Sequence, residues 1–259
     1  MENRSSETET GNSWLIPDWP APVNVKSAMT TRHGGVSLGP YCSLNLGEHV
    51  GDKRHHVLQN RARLTSQLNL PNSPVWLNQV HGTGIVELPL TAISAPNHPP
   101  QADGSFSRQP GQICVIMTAD CLPVLLCDTQ GSVVAAAHAG WRGLAAGVLE
   151  NTIDAMGVAP QSLLVWLGPA IGPQAFEVGR DVVTAFTEPH PEAVHAFQQV
   201  AANHWLADIY ALARIRLQHT GVTQISGGGF CTYGESDRFY SYRRDKITGR
   251  MAALIWLAA

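Results

Sequence analysis

Residues 113–140 read ICVIMTADCLPVLLCDTQGSVVAAAHAG, and this stretch decides the fold class. Two apolar, strand-like runs, ICVIMTAD and PVLLCD, flank Cys121, and a third, VVAAAH, ends at His138. Short continuous apolar runs bounded by turn residues read as buried strands. The periodicity then changes. From Gly143 the segment LAAGVLENTIDAM places Ala145, Leu149, Ile153 and Met156 on one helical face, so a helix is expected directly after the strands.

Working outward, PVWLNQV (74–80) reads as a strand ending at His81-Gly82. Before it, HHVLQNRARLTSQLNL sets Val57, Leu64 and Leu68 on one helical face, with Pro71 beyond its end. Residues 32–51 hold Gly34, Gly35, Gly39, Gly47 and Gly51, too many breakers for a regular element, and are expected to form a long ordered loop. Loops of that length are commonly functional. Pro17, Pro20 and Pro22 punctuate the entry, and residues 91–101 are a Pro- and Ala-rich loop. Downstream, LLVWLGPAIG reads as a strand and DVVTAF as a short helix. WLADIYALARIRLQHTG reads as a helix with Leu206, Tyr210, Ala213 and Leu217 in register and Gly221 as its cap. The end of the chain suggests a hairpin, RFYSYRR against MAALIWL, closed by Gly249. Neither an internal repeat nor a linker divides the chain. One α+β domain over residues 14–259 with mixed β-sheets is expected, preceded by a disordered tail at 1–13.

Composition narrows the function classes. The 259 residues are 44% hydrophobic and 14% charged, as in a compact globular protein. The net charge is −3 and no Lys/Arg run stands out, which argues against a nucleic-acid partner. The first residues, MENRSSETETGNS, lack the apolar stretch of a signal peptide, and no run of about twenty apolar residues offers a membrane span. A cytoplasmic location and a small-molecule partner follow as the expectation; the oligomeric state is not readable. The five cysteines have no disulfide-scaffold spacing.

His81, Cys121 and His138 share one feature: each lies at or just past the end of an apolar run, where rigid scaffolds present reactive groups. Two imidazoles and a thiolate suit Zn²⁺. The spacings are long and there is no C-x-x-C pair, unlike a structural zinc site, which points to a catalytic zinc with one position open. On spacing alone, a satisfied polar histidine and a core cysteine are the commoner uses of such residues.

The words around these residues are more specific. TRHGGVS (31–37), SLNLGEHVGD (43–52), NQVHG (78–82), ADGSFS (102–107), TADCLPVLL (118–126), HAGWRGLAAGV (138–148), LGPAIGP (167–173) and YSYRRDKITGRMA (240–252) resemble, in order, the YfiH-type family. It is also called the laccase-domain or polyphenol-oxidase-like family. The resemblance runs from about residue 14 to the C-terminus. It implies a layered α-β-β-α fold, distantly related to the catalytic domain of cytotoxic necrotizing factor, and it implies zinc ligands at His81, Cys121 and His138. It further implies purine nucleoside chemistry: phosphorolysis of adenosine, inosine, guanosine and methylthioadenosine, and deamination of adenosine. Copper polyphenol oxidation and the editing of a peptidoglycan precursor are also associated with the family.

The residues weigh these activities differently. Zinc lowers the pKa of bound water and so suits deamination, though the H-x-E…C-x-x-C signature of nucleobase deaminases is absent. Asp120 is a candidate orienting group or a turn aspartate. Phosphorolysis needs an anion pocket, for which Arg32 and Arg243 are candidates because guanidinium binds phosphate through a planar fork. Asn45 and Gln79 could bond ribose or base, and Trp141 could stack on a base or pack in the core. A trinuclear copper cluster needs H-x-H pairs, and the chain has none; copper is expected only as a substitute metal. Two further classes stay open: a cysteine hydrolase with Cys121 as nucleophile and His138 or His81 as base, and a zinc-stabilised binding module.

Overall fold

Why four layers form follows from strand periodicity. In the computed structural model, which describes residues 14–90 and 99–258, two sheets pack face to face and each has helices on its outer side. The smaller sheet contains β1 (Trp14–Leu15), β2 (Val25–Thr30), β5 (Ile113–Thr118) and β13 (Met251–Leu257), ordered β1-β2-β13-β5 and antiparallel throughout. The larger contains β3 (Ile85–Leu88), β4 (Gly104–Ser107), β6 (Leu122–Asp128), β7 (Val134–Ala139), β8 (Leu163–Leu167) and β12 (Gln224–Gly227). Its order is β12-β8-β6-β7-β4-β3, with parallel pairing at both edges and antiparallel pairing between.

Successive residues of a strand face opposite sides, so strands buried on both faces divide their side chains between two cores. Met251, Ala253 and Ile255 of β13, with Cys114 and Ile116 of β5, meet Leu125, Cys127, Val134, Ala136 and Trp166 of the larger sheet. Their alternates, Ile113, Val115, Ala252 and Leu254, pack outward on Leu64 of helix α1 (Arg54–Gln67). The other face of the larger sheet (Val124, Leu126, Ala135, Ala137, Val165) packs on α2 (Trp141–Ala146), α3 (Val148–Met156), α4 (Arg180–Thr187) and α5 (Ile209–His219). A small sheet of β9 (Glu177–Val178), β10 (Phe197–Ala201) and β11 (His204–Ala207) lies among these helices. The expected α-β-β-α arrangement with mixed sheets is what the chain adopts. No helix among the described residues is long and apolar enough to cross a membrane.

The Gly-rich segment 32–51 is an ordered loop, and two asparagines explain why. Asn60, fully buried on α1, donates to Ser37 Oγ and the Asn45 carbonyl and accepts from the Val36 N–H. Asn45, also fully buried, accepts the N–H of Gly47 and of Arg250 and donates to Asp52. Buried backbone groups must find partners, and these two amides supply them. The loop is thereby fixed where it carries His49 toward the sheet ends.

Four local expectations are corrected. RFYSYRR is not a strand: β13 already has β2 and β5 on its two edges, while Phe239 and Tyr240 are buried between the sheets. Ser241 then caps a short helix, α6 (Tyr242–Asp245), by accepting the Arg244 N–H. PVWLNQV forms only isolated bridges, Val75 to Cys114 and Asn78 to Gln101, because its polar end is claimed by side chains described below. The helix from Gly143 is broken at Gly147, whose φ of +98° ends α2 and starts α3. The last long helix starts at Ile209, where Asp208 caps it by accepting the N–H groups of Tyr210 and Ala211; Leu206 belongs to β11. The expected tail at 1–13 and most of the expected loop at 91–101 lie outside the described residues.

Candidate metal centre

Cys121 sits where the chain leaves one sheet for the other. β5 ends at Thr118 in the smaller sheet, β6 begins at Leu122 in the larger, and the connection turns through Asp120 at a φ of +88°. That left-handed conformation is uncommon for a non-glycine residue, and three contacts hold it. Thr232 Oγ1 donates to Asp120 Oδ1 at 2.7 Å, the Arg243 N–H to Oδ2 at 2.6 Å, and the Ile171 N–H to the Asp120 carbonyl at 2.9 Å. Asp120 is thus a clamp on the turn that presents Cys121.

His138 comes from β7, paired opposite Pro123 of β6, and is buried. His81 is at the surface, at a φ of +60°. One carboxylate organises both. Asp103, wholly buried just before β4, accepts the N–H of His81 (2.9 Å) and His138 Nδ1–H (2.9 Å) on Oδ1. Its Oδ2 accepts the N–H of Gly82 (2.7 Å) and Val80 (3.2 Å). An ionised carboxylate only accepts, so in the neutral ring it keeps the His138 proton on Nδ1 and makes Nε2 the ligating nitrogen. The capture of three successive N–H groups also bends residues 80–82 out of strand geometry.

The ligand atoms of His81, Cys121 and His138 all lie within 4.8 Å of one another. Cys121 Sγ is 3.7 Å from His81 Nε2, and the two imidazole centroids are 4.7 Å apart. Room for them depends on Gly140: a Cβ there would lie 2.7 Å from His81 Cδ2 and 3.1 Å from Cys121 Sγ. Burial by itself would raise the Cys121 thiol, but the His138 charge and hydrogen bonds from His138 and His81 prevail and bring it to about 6. Burial would lower His138, yet the Cys121 thiolate and Asp103 hold it up at about 9. Asp103 itself, despite its burial, is held below the usual carboxylate value by His138 and the Gly82 N–H.

These three side chains line a cavity of about 330 Å³. Gln79, Met117, Thr118 and Ala119 also line it, as do His49 from the loop, Tyr242 from α6 and Arg250 just before β13. The Thr118 hydroxyl is buried with no hydrogen-bond partner. Arg250 is half-buried, donating Nη1 to the carbonyls of Thr248 and Gly249. Burial, then the charges of Arg250 and Arg61, push His49 below the ordinary imidazole value, so it is neutral near pH 7.

Of the other candidates read from the sequence, Gln79 alone reaches the cavity, with its amide spent on the Met117 backbone, donating at 2.8 Å and accepting at 2.7 Å. Arg32 does not line it: its guanidinium donates to the carbonyls of Cys42 and Ser236 and stacks on Tyr240. Arg243 donates to the Glu177 carbonyl and lies over Phe176. Asn45 is saturated inside the loop. Trp141 packs against the helical core under Arg142. Sequence reasoning missed Asp103, His49, Arg250 and Tyr242. The one available signal was an aspartate in ADGSFS, entering an otherwise uncharged strand.

Comparison with known proteins agrees with this architecture. A Pseudomonas aeruginosa protein named purine nucleoside phosphorylase PA4543 is 57% identical over 95% of this chain and 99% of its own length. The Escherichia coli protein named purine nucleoside phosphorylase YfiH is 55% identical over 94% of this chain and 98% of its own. Among solved structures, Neisseria meningitidis protein NMB0706 superposes with a TM-score of 0.90 at 53% identity, covering 96% of this chain and all of that one. YlmD from Geobacillus stearothermophilus gives 0.88 at 32% identity over 97% and 98%. Residues 26–258 match the family described as multi-copper polyphenol oxidoreductase laccase, and with these relatives across nearly its whole length the chain belongs to that YfiH-type family.

Proposed function

We propose that this chain is a zinc-dependent enzyme of purine nucleosides, cleaving adenosine, inosine, guanosine and methylthioadenosine by phosphorolysis and deaminating adenosine. The observation that carries the reading is one cavity lined by His81, Cys121 and His138 together with Arg250 and His49. Its volume is at the lower end of the range for small-molecule pockets, about 300–1,000 Å³. The names of the relatives supply the substrate class.

The donor set fits one borderline-soft cation: two imidazoles and a thiolate that is readily ionised. It does not fit a cluster of copper ions, because among the described residues no other His, Cys or acidic side chain joins this group. A single copper would be a substitute metal, with polyphenol oxidation a secondary activity. A bound zinc would supply a Lewis acid and an activated water at neutral pH.

The remaining chemistry falls to the protein. Arg250 offers the phosphate a planar, charged donor fork. Neutral His49 beside it can accept or return a proton at a ring nitrogen. The unpartnered Thr118 hydroxyl gives a buried polar contact for the nucleoside. Asp103 keeps the His138 proton on Nδ1, so that ring cannot turn without breaking a buried hydrogen bond. Tyr242, exposed beside Arg250, provides an aromatic surface at the cavity.

A second reading rests on the same geometry. Cys121, His138 and Asp103 also form a nucleophile, a base and an orienting carboxylate, as a hydrolase editing a peptidoglycan precursor would need. One experiment separates the two. Metal-quantified protein is offered adenosine with and without phosphate, inosine, methylthioadenosine and a muramyl precursor carrying serine, before and after chelation. The proposal expects free base and the corresponding sugar 1-phosphate (5-methylthioribose 1-phosphate from methylthioadenosine) only with phosphate, ammonia from adenosine, and loss of both on chelation. Activity that survives chelation, with a Cys121 adduct trapped by an electrophile, favours the hydrolase. Release of no base from any nucleoside by zinc-loaded protein overturns the proposal.

A further inference from the structure

We infer a second metal site, distinct from the cavity, in which His190, Glu192 and His219 bind a hydrated divalent transition ion of the zinc, nickel and copper class. The three ligand atoms lie within 4.8 Å of one another. The two rings are 4.3 Å apart between centroids. Glu192 Oε1 faces both, 3.9 Å from His190 Nδ1 and in direct contact with His219 Nε2.

The backbone holds these positions while leaving the side chains accessible. His190 follows α4, its N–H bonded to the Phe186 carbonyl and its own carbonyl accepting the Ala193 N–H. Pro191 opens a 3-10 helix, Pro191–Ala196, that is anchored by buried Ala193 and Ala196. The Asp208 N–H, at the cap of α5, bonds the Ala196 carbonyl, and Leu217, two residues before His219, is buried. Core packing therefore fixes where the donors start. Glu192 and His219 are exposed and His190 is half-exposed, so an ion can reach them.

Ion pairing alone accounts poorly for the cluster. Two imidazole rings in contact and one carboxylate oxygen bring three donor atoms together, more than a single hydrogen bond uses. A divalent cation satisfies all three groups at once. Donors about 2.0–2.2 Å from one ion lie roughly 3–3.5 Å apart, so closure needs side-chain rotations of about an ångström. Arg216 is already paired with Glu150 at 2.5 Å. A shallow hollow of about 200 Å³ beside Glu192 and His219 leaves space for water ligands. Two nitrogens, one oxygen and no thiolate suit a solvated ion rather than one sealed in protein. Its occupation would clip the 3-10 helix to the end of α5.

The test counts Zn²⁺ bound per chain by equilibrium dialysis, for the wild type and for His219→Gln, Glu192→Gln and His190→Gln. Each variant should bind one ion fewer, or bind that ion at least tenfold more weakly. Its melting temperature in chelator should match the wild type, and zinc should raise it less. With Cu²⁺, the electron paramagnetic resonance of the wild type should contain a component with two nitrogen ligands that His219→Gln removes, while nucleoside turnover is unchanged. Equal Zn²⁺ counts and affinities in the wild type and all three variants would overturn the site, whatever metal the cavity holds.

Discussion

Replacing Asp103 by Asn removes one charge and almost no volume, and it tests the architecture of the cavity more sharply than deleting a ligand. The native carboxylate accepts four hydrogen bonds while fully buried: three from the backbone of residues 80–82 and one from His138 Nδ1. An Asn oxygen can take two of them, and its amide group must then face the other two donors. If the amide replaces Oδ2, the Val80 and Gly82 N–H groups lose their acceptor. If it replaces Oδ1, His138 must move its proton to Nε2, where the ligand lone pair had been. Hydrogen bonds to charged groups are worth about 1.5–3 kcal/mol each, so losing two should destabilise the metal-free protein by about 3–6 kcal/mol. Loss of the group that orients a ligating histidine costs a further 10- to 100-fold in metal affinity. Urea unfolding in chelator measures the first quantity and a competitive zinc titration the second. The folded-state pKa of Asp103 lies below its unfolded value, near about 3.9. Its contribution is therefore complete above that value and lost as pH falls through the lower, folded one, so wild type and variant should converge in acid. A loss under about 1 kcal/mol at pH 7 with unchanged zinc affinity would refute the reasoning.

Three other outcomes follow from the same geometry. In metal-free protein, site-resolved alkylation of Cys121 should rise with a midpoint at about 6, and His138→Gln should move that midpoint upward; an ordinary thiol profile centred near about 8.5 would contradict the pairing. Gly140→Ala meets no backbone strain at a φ of −64°, but its methyl group crowds His81 and Cys121. Zinc affinity should fall at least about tenfold, no less than when a ligand merely loses its orienting partner, with the unfolding midpoint nearly unchanged, and full retention of zinc would show that the triad does not share one ion. Arg32→Ala should cost stability, about 1–3 kcal/mol for its lost backbone contacts, without altering the KM for phosphate, whereas Arg250→Ala should raise that KM in a folded protein. The opposite pattern would return the anion to Arg32.

The sequence by itself was enough for the apolar runs around Cys121, the ordered Gly-rich loop and the residue types at the run ends, because these are local: hydrophobic period, breakers and donor chemistry are written in consecutive positions. The motif words carried the layered fold as well. Tertiary structure alone decided the partners. β13 looked like half of a hairpin with RFYSYRR, yet it pairs with β2 and β5, which lie far away in sequence. Leu206 fitted a helical register but was drawn into β11. In the cavity, a polar residue's role depended on where its hydrogen bonds were already spent. Arg32, Arg243 and Asn45 had the right chemistry and are committed to nearby backbone or side chains, while Arg250 and His49 line the cavity and buried Asp103 holds His138 behind it. Donor type is a property of the residue, but availability is a property of everything packed around it.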